Sequence, residues 1–205
     1  MDWLSFIKSR RSSKLLETGP VRLDDVLKAV EAAAYAANAH NAQPWRFVIV
    51  SDEVQKRKLL DEMGEEWLED LIGDGLEREK ARKIVEQGNG RSMRAAVLVV
   101  VCLSMEDMDV YWDSRRIRYE YVMAVQSIGA AVQNMLLALH GMGYGACWRC
   151  SPLFAQRAVK KVLGLPEAVE PMAMVEIGMK GGETTGTRKP LHEVVHFNRW
   201  GEQPR

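Results

Sequence analysis

Apolar positions along this chain fall into two kinds of run. In the first kind they recur every three or four residues, as on one face of a helix. Trp3, Phe6 and Ile7 share such a face near the start. Leu23, Val26, Leu27, Val30 and Ala34 give a second helix its inward side, with Asp24 expected to cap it and Asp25 in a first turn that favours carboxylates. Leu60, Met63, Trp67 and Leu71 mark a third helix, opened by Ser51-Asp52 and ended by Gly73-Asp74-Gly75. Glu77 to Gln87 alternates charge sign and predicts an exposed helix docked by Ala81, Ile84 and Val85, followed by a turn at Gly88-Asn89-Gly90. The longest periodic segment runs from about Ile117 to Met142, with Tyr121, Val125, Ile128, Val132, Leu136 and Leu139 in register. At 1.5 Å per residue it spans roughly 39 Å. Val122, Met123, Met135 and Leu137 add apolar surface off that stripe. A helix apolar nearly all round is buried in a core or in a subunit interface, and the interface is the favoured reading.

The second kind of run is short and continuous. Residues 46–50 predict a strand that follows Pro44-Trp45. Ala95 to Leu103 is apolar without alternation, as expected of a central strand covered on both faces. Ala146 to Arg149 and Met172 to Gly178 supply two further strands. Ser151-Pro152 predicts an N-cap followed by an N1 proline, opening a helix that reaches Leu163 and stops at Gly164. The polar stretch 104–116 is a long loop of the kind that often serves as a lid.

Composition narrows the class without choosing a function. The 205 residues fit one domain with a real core, and 47% hydrophobic with 27% charged residues is ordinary for a globular protein. Lys+Arg 28 against Asp+Glu 28 points neither to nucleic acid nor to an anionic membrane. No stretch is expected to span a bilayer, and the charged N-terminus reads as a helix rather than a signal peptide, so a cytoplasmic location is expected. Three cysteines provide no framework of disulfides.

Candidate chemistry concentrates in three places. Cations and hydroxyls crowd Lys8 to Lys14, and Arg188-Lys189 adds charge near the other end of the chain. Between them, Asn38, His40, Asn41 and Gln43 set hydrogen-bonding side chains among alanines just before a strand. Phosphate takes cations and hydroxyls, while a flat heterocycle takes amide partners along its edge, so the set suggests a phosphorylated aromatic cofactor. Each piece also has a plain reading, as a solvated charged turn or a loop capped by its own Asn side chains. No Gly-x-Gly-x-x-Gly or Walker motif is present.

The ordered set Arg10-Arg11-Ser12-x-Lys14, Asn41-Ala42-Gln43-Pro44-Trp45-Arg46-Phe47, Gln133-Asn134, Gly143-Tyr144-Gly145-Ala146-Cys147-Trp148 and Arg188-Lys189-Pro190 resembles the FMN-dependent nitroreductase superfamily over almost the whole chain. The resemblance implies an α+β fold with a mixed central sheet flanked by helices, and an intertwined homodimer with an FMN in each of two interfacial sites. It implies that Arg10, Ser12, Lys14 and Arg188 hold the phosphate and ribityl chain, with Arg11 acting mainly through its backbone. The partner chain is implied to bring Asn38, Ala39 and Asn41 to the flavin ring, with Gln43 beside them. Backbone N–H groups around Cys150 and Ser151 are implied to face flavin N5, and Arg91 or Arg94 to add positive charge near the ring. Ala37-Asn38 stands where the family usually has Pro-Ser. Glu66-Trp67, Asp70-Leu71, Asp74-Gly75, Asp113, Arg115-Arg116 and Pro171-Met172 are similar to one branch, the C-terminal flavin domain of the bifunctional enzyme that finishes the deazaflavin coenzyme.

The resemblance implies hydride transfer in a ping-pong cycle. The donor is a reduced nicotinamide or deazaflavin and the acceptor a small aromatic or conjugated molecule. Two other readings stay open: a flavin-binding sensor with little turnover, and a dithiol oxidoreductase built on Cys147-Trp148-Arg149-Cys150, where a helix start could stabilise a thiolate. A metal site drawn from that motif with Cys102 and His140 lacks a second paired motif. His40 is the candidate proton donor, or else a hydrogen-bonding filler.

Overall fold

The computed structural model describes residues 2–182 and 186–202. Its centre is the strand Val97–Ser104 (β3), buried at every position. Alternate side chains of a strand leave opposite faces, so β3 seeds two cores at once. Val97, Val99, Val101 and Leu103 face one cluster, and Leu98, Val100 and Cys102 the other.

Strand Trp45–Val50 (β2) pairs with β3 on one side, and strand Val169–Lys180 (β5) pairs on the other, with a register shift between Val101 and Cys102. Strand Gly145–Arg149 (β4) adds to the far side of β5, and the two-residue strand Leu16–Glu17 (β1) continues at Met179 and Lys180. The order is thus β2-β3-β5-β4, placing β2 and β4 at opposite edges. The α+β class holds, with one correction: every pairing among the described residues is antiparallel, in place of the expected mixed sheet.

Helices Leu23–Ala34 (α2) and Ser114–Gly141 (α5) cover the first face with Val26, Ala29, Ala33, Ile128, Val132 and Leu139. Helices Glu53–Gly73 (α3) and Gln156–Leu163 (α7) cover the second with Leu59, Leu60, Met63, Val159 and Val162. Helix Arg78–Ser92 (α4) packs outside α3 through Leu68, Ala81 and Val85. Helix Trp3–Ser9 (α1) buries none of its own residues, although Asp2 caps it by accepting from the N–H groups of Leu4 and Ser5. Short helices Ser151–Phe154 (α6) and Leu191–Val194 (α8) complete the described set.

Several boundaries differ from the sequence reading for identifiable reasons. Helix α2 begins at Leu23, so Asp24 lies in its first turn and Arg22 holds the cap position, accepting from the N–H of Val26. Gly88-Asn89-Gly90 is helical rather than a turn. The Trp67 ring packs where a Gly88 side chain would be, and Asn89 Nδ2 donates to the Leu60 carbonyl at 3.0 Å. The helix expected from Ser151 to Leu163 breaks at Ala155, and Gly164 ends it in the left-handed region, with φ of 65°. Helix α5 is long and apolar enough by length and composition to cross a membrane, against expectation, but its buried side chains form the core over β3. The expectation for Lys180 to Pro190 falls partly on Glu183, Thr184 and Thr185, which lie outside the described residues.

Candidate functional site

The segment between α1 and β1 lies across the ends of β4 and β5, and glycines make this possible. A side chain at Gly145 would sit 2.9 Å from Leu16 and 3.1 Å from Ser13, and one at Gly178 would sit 3.2 Å from Leu16. Without side chains there, the Ser13 N–H donates to the Ala146 carbonyl at 2.9 Å and Ser13 is buried. This docking fixes where Arg10, Ser12 and Lys14 stand.

Arg10 is half-buried, and its Nη1 is a buried donor without a hydrogen-bond partner. Burial pushes its pKa down, and the positive charges of Arg188 and Arg11 push it further. Chain ends far apart in sequence therefore bring their cations together, as the ordered motif implied. Arg11 turns back, donating to the Lys8 and Arg10 carbonyls. His140 joins the cluster. Its Nε2 lies 2.8 Å from Ser9 Oγ, and burial first, then Lys180 and Arg10, hold its pKa below the usual imidazole value. A buried guanidinium nitrogen with an unused proton, crowded by like charge, is the arrangement an anion relieves. That donor set fits a phosphate.

Cys147 and Arg149, two residues apart on β4, connect this cluster to a cavity. Cys147 feels the charges of Lys14 and Arg10 as well as Arg149 and Glu176. Arg149 borders a cavity of about 400 Å3 together with Trp67, Arg91, Ser151 and Phe154. That volume lies within the range of small-molecule sites. The floor is ordered by Glu176, almost wholly buried, which accepts from Ser92 Oγ at 2.6 Å and Arg149 Nε at 3.2 Å. Arg91 lines the cavity whereas Arg94 is committed to the Leu16 carbonyl at 2.9 Å, which separates the two arginines that sequence left equivalent. None of the lining residues comes from 104–116, so the expected lid does not cover this cavity within the chain.

The Asn-rich segment stands elsewhere. Residues 39–41 form a short 3-10 turn before β2, and His40, Asn41 and Gln43 all have positive φ, at 54°, 54° and 47°. Such backbone is costly for non-glycine residues and gathers at functional sites. Asn38 Oδ1 accepts from the Gln43 N–H at 2.8 Å, and the Ala39 N–H donates to Ser127 Oγ at 3.2 Å, which holds the turn against α5. This segment precedes the β2 edge, whereas the cation cluster borders β4 at the opposite edge, roughly 14 Å across at about 4.8 Å per strand. One chain therefore does not bring the two groups together.

The structure offers the C-x-x-C motif little support as a reactive dithiol. All three cysteines are free; burial raises the Cys147 pKa, and burial raises that of Cys102 to about 11. The helix that was to stabilise a thiolate has only four residues. Cys102, His140 and the motif form no ligand cluster among the described residues, where the one such group is His40, Asp109 and Glu120. Sequence reading missed the two carboxylates facing His40, which lie far along the chain from it.

The model of the nitroreductase family matches residues 7–179. The chain belongs to the nitroreductase family. A protein of Archaeoglobus fulgidus, provisionally named an NADH dehydrogenase/NAD(P)H nitroreductase, is 29% identical over 207 residues, covering 96% of this chain and 98% of its own. A provisionally named nitroreductase from Desulfovibrio desulfuricans, solved in complex with FMN, superposes with a TM-score of 0.72 at 25% identity, covering 98% of this chain and 96% of its own. A BluB-like flavoprotein from Clostridium difficile shares the fold with a TM-score of 0.77 at 23% identity, covering 97% of this chain and all of its own.

Proposed function

We propose that the protein is an FMN-dependent oxidoreductase that passes hydride from NADH or NADPH, or from a reduced deazaflavin, to an aromatic or conjugated acceptor. The observation that carries this reading is the unpartnered, buried Nη1 of Arg10 inside a cation cluster, joined along β4 to an apolar cavity. Bound FMN supplies the chemistry of taking up and releasing hydride at one ring nitrogen. Arg10, Ser12, Lys14 and Arg188 hold the phosphate and ribityl chain. Arg91, which lines the cavity, would place positive charge beside the bound ring. Backbone N–H groups around Cys150 and Ser151 would be donors to the ring, and Leu60, Met63, Trp67 and Phe154, which line the cavity with Ser151, would exclude water.

A second copy of the chain completes the site. Asn38, Ala39, Asn41 and Gln43 stand at the wrong sheet edge to meet their own chain's cation cluster, so they serve the partner's ring. Exposed apolar side chains on α1 (Trp3, Leu4, Ile7) and α5 (Ile117, Tyr119, Val122), and in the tail (Leu191, Trp200), form the surface that a homodimer covers. Donor and acceptor take turns in one cavity, which gives ping-pong kinetics. A deazaflavin-coenzyme precursor is one conjugated acceptor of suitable shape. Cytoplasmic operation follows from the need for a reduced nicotinamide pool.

Reconstitution with FMN tests the reading. The expected result is a yellow protein with one FMN per chain, bleached by NADH or NADPH and giving parallel double-reciprocal lines with a nitroaromatic acceptor. Protein that stays colourless after reconstitution rejects the cofactor, and bound flavin that no donor bleaches rejects the enzyme in favour of a sensor.

A further inference from the structure

We propose that His40, Asp109 and Glu120 form a site for one divalent transition-metal ion of the zinc class, between the turn before β2 and the flank of α5. His40 Nε2 lies 3.5 Å from Glu120 Oε1 and 3.9 Å from Asp109 Oδ2. One ligand atom from each of the three residues lies within 4.8 Å of the others. A tetrahedral ion with N and O ligands at about 2.0–2.1 Å holds those atoms about 3.3 Å apart. The His40–Glu120 pair is already near that spacing, and the exposed Asp109 is the ligand that would have to move closer.

A second observation points to a ligand. Glu120 is only 3% exposed, yet its Oε2 is buried with no hydrogen-bond partner. A carboxylate taken out of water is strongly disfavoured unless its charge is met. His40 at 3.5 Å lies beyond good hydrogen-bond distance. The nearest arginine on β2, Arg46, pairs with Glu106 and Asp107 instead. One ion would meet both carboxylates and take the imidazole as its nitrogen ligand. A donor set of one imidazole and two carboxylates suits Zn2+, Co2+ or Mn2+ rather than a soft or an all-oxygen ion. The site would tie the positive-φ turn and the 105–113 loop to α5, at the opposite sheet edge from its own chain's cation cluster.

Co2+ titration of chelator-treated protein tests it. The expected result is one Co2+ per chain with visible d–d absorption, no thiolate charge-transfer band, and displacement by Zn2+. His40→Ala, Glu120→Gln and Asp109→Asn are each expected to weaken binding at least tenfold. Asp109 is exposed, so Asp109→Asn keeps its fold even where Glu120→Gln does not. Absence of saturable Co2+ uptake, or uptake unchanged in Asp109→Asn and His40→Ala, overturns the site and leaves only the His40–Glu120 contact. Flavin content plays no part in the readout, so failure of the cofactor reading does not touch this result.

Discussion

Cys147 illustrates how environment overrides motif at the level of single residues. Its position in C-x-x-C suggests reactivity, but β4 buries it, and burial outweighs the nearby cations in setting its pKa. Cys150, three residues on, is exposed. A thiol reagent at neutral pH is therefore expected to titrate one cysteine in the native protein and all three only after unfolding. Two fast-reacting thiols, or a Cys147–Cys150 disulfide in mass spectra of the native protein, would contradict this. Arg10 and Arg188 show the reverse case, in which a short basic motif and a lone distant arginine turn out to be electrostatic neighbours.

Among the elements, α4 best shows what local sequence can and cannot fix. Gly88 and Gly90 both argue for a turn, since glycine weakens a helix by about 1 kcal/mol relative to alanine. Tertiary contacts with Trp67 and Leu60 keep the segment helical. The two glycines should consequently respond in opposite directions. Gly90→Ala, with open space around it, is expected to stabilise the protein by about 0.5 kcal/mol in urea melts. Gly88→Ala, whose added carbon would lie 2.7 Å from the Trp67 ring, is expected to destabilise by about 1–3 kcal/mol. Equal shifts would mean that Trp67 does not hold the helix. The same logic explains which parts were legible. β3, a continuous apolar run, and α5, with its sustained helical period, could be read directly. The helical Gly88-Asn89-Gly90 and the carboxylates around His40 depend on partners 20 or more residues away and could not be. The cation cluster was legible only because the ordered motif linked residues that periodicity treats separately.

At the scale of the whole molecule, the proposed site, shared between two copies because its residues stand at opposite sheet edges, makes a demanding prediction. An Arg10→Ala chain and an Asn41→Ala chain each damage both sites of their own homodimer. Loss of a hydrogen bond to a charged group costs about 1.5–3 kcal/mol, so Arg10→Ala should bind FMN roughly 10–100-fold more weakly. A heterodimer of the two puts both lesions in one site and leaves the other intact. Co-expressed and purified with different tags, it should bind about one FMN per dimer with wild-type affinity. Two weakened sites in the heterodimer would mean that each chain builds its site alone.

The glycine seam of β4 and β5 has a consequence for the order in which the protein matures. Lys14 and its neighbours are synthesised well before the shelf they rest on, from Gly145 to Gly178. Pairings between such distant stretches are slow to close. A nascent chain therefore carries Arg10, Ser12 and Lys14 long before it can position them, and under the proposed reading FMN would bind only after that shelf and Arg188 have been made.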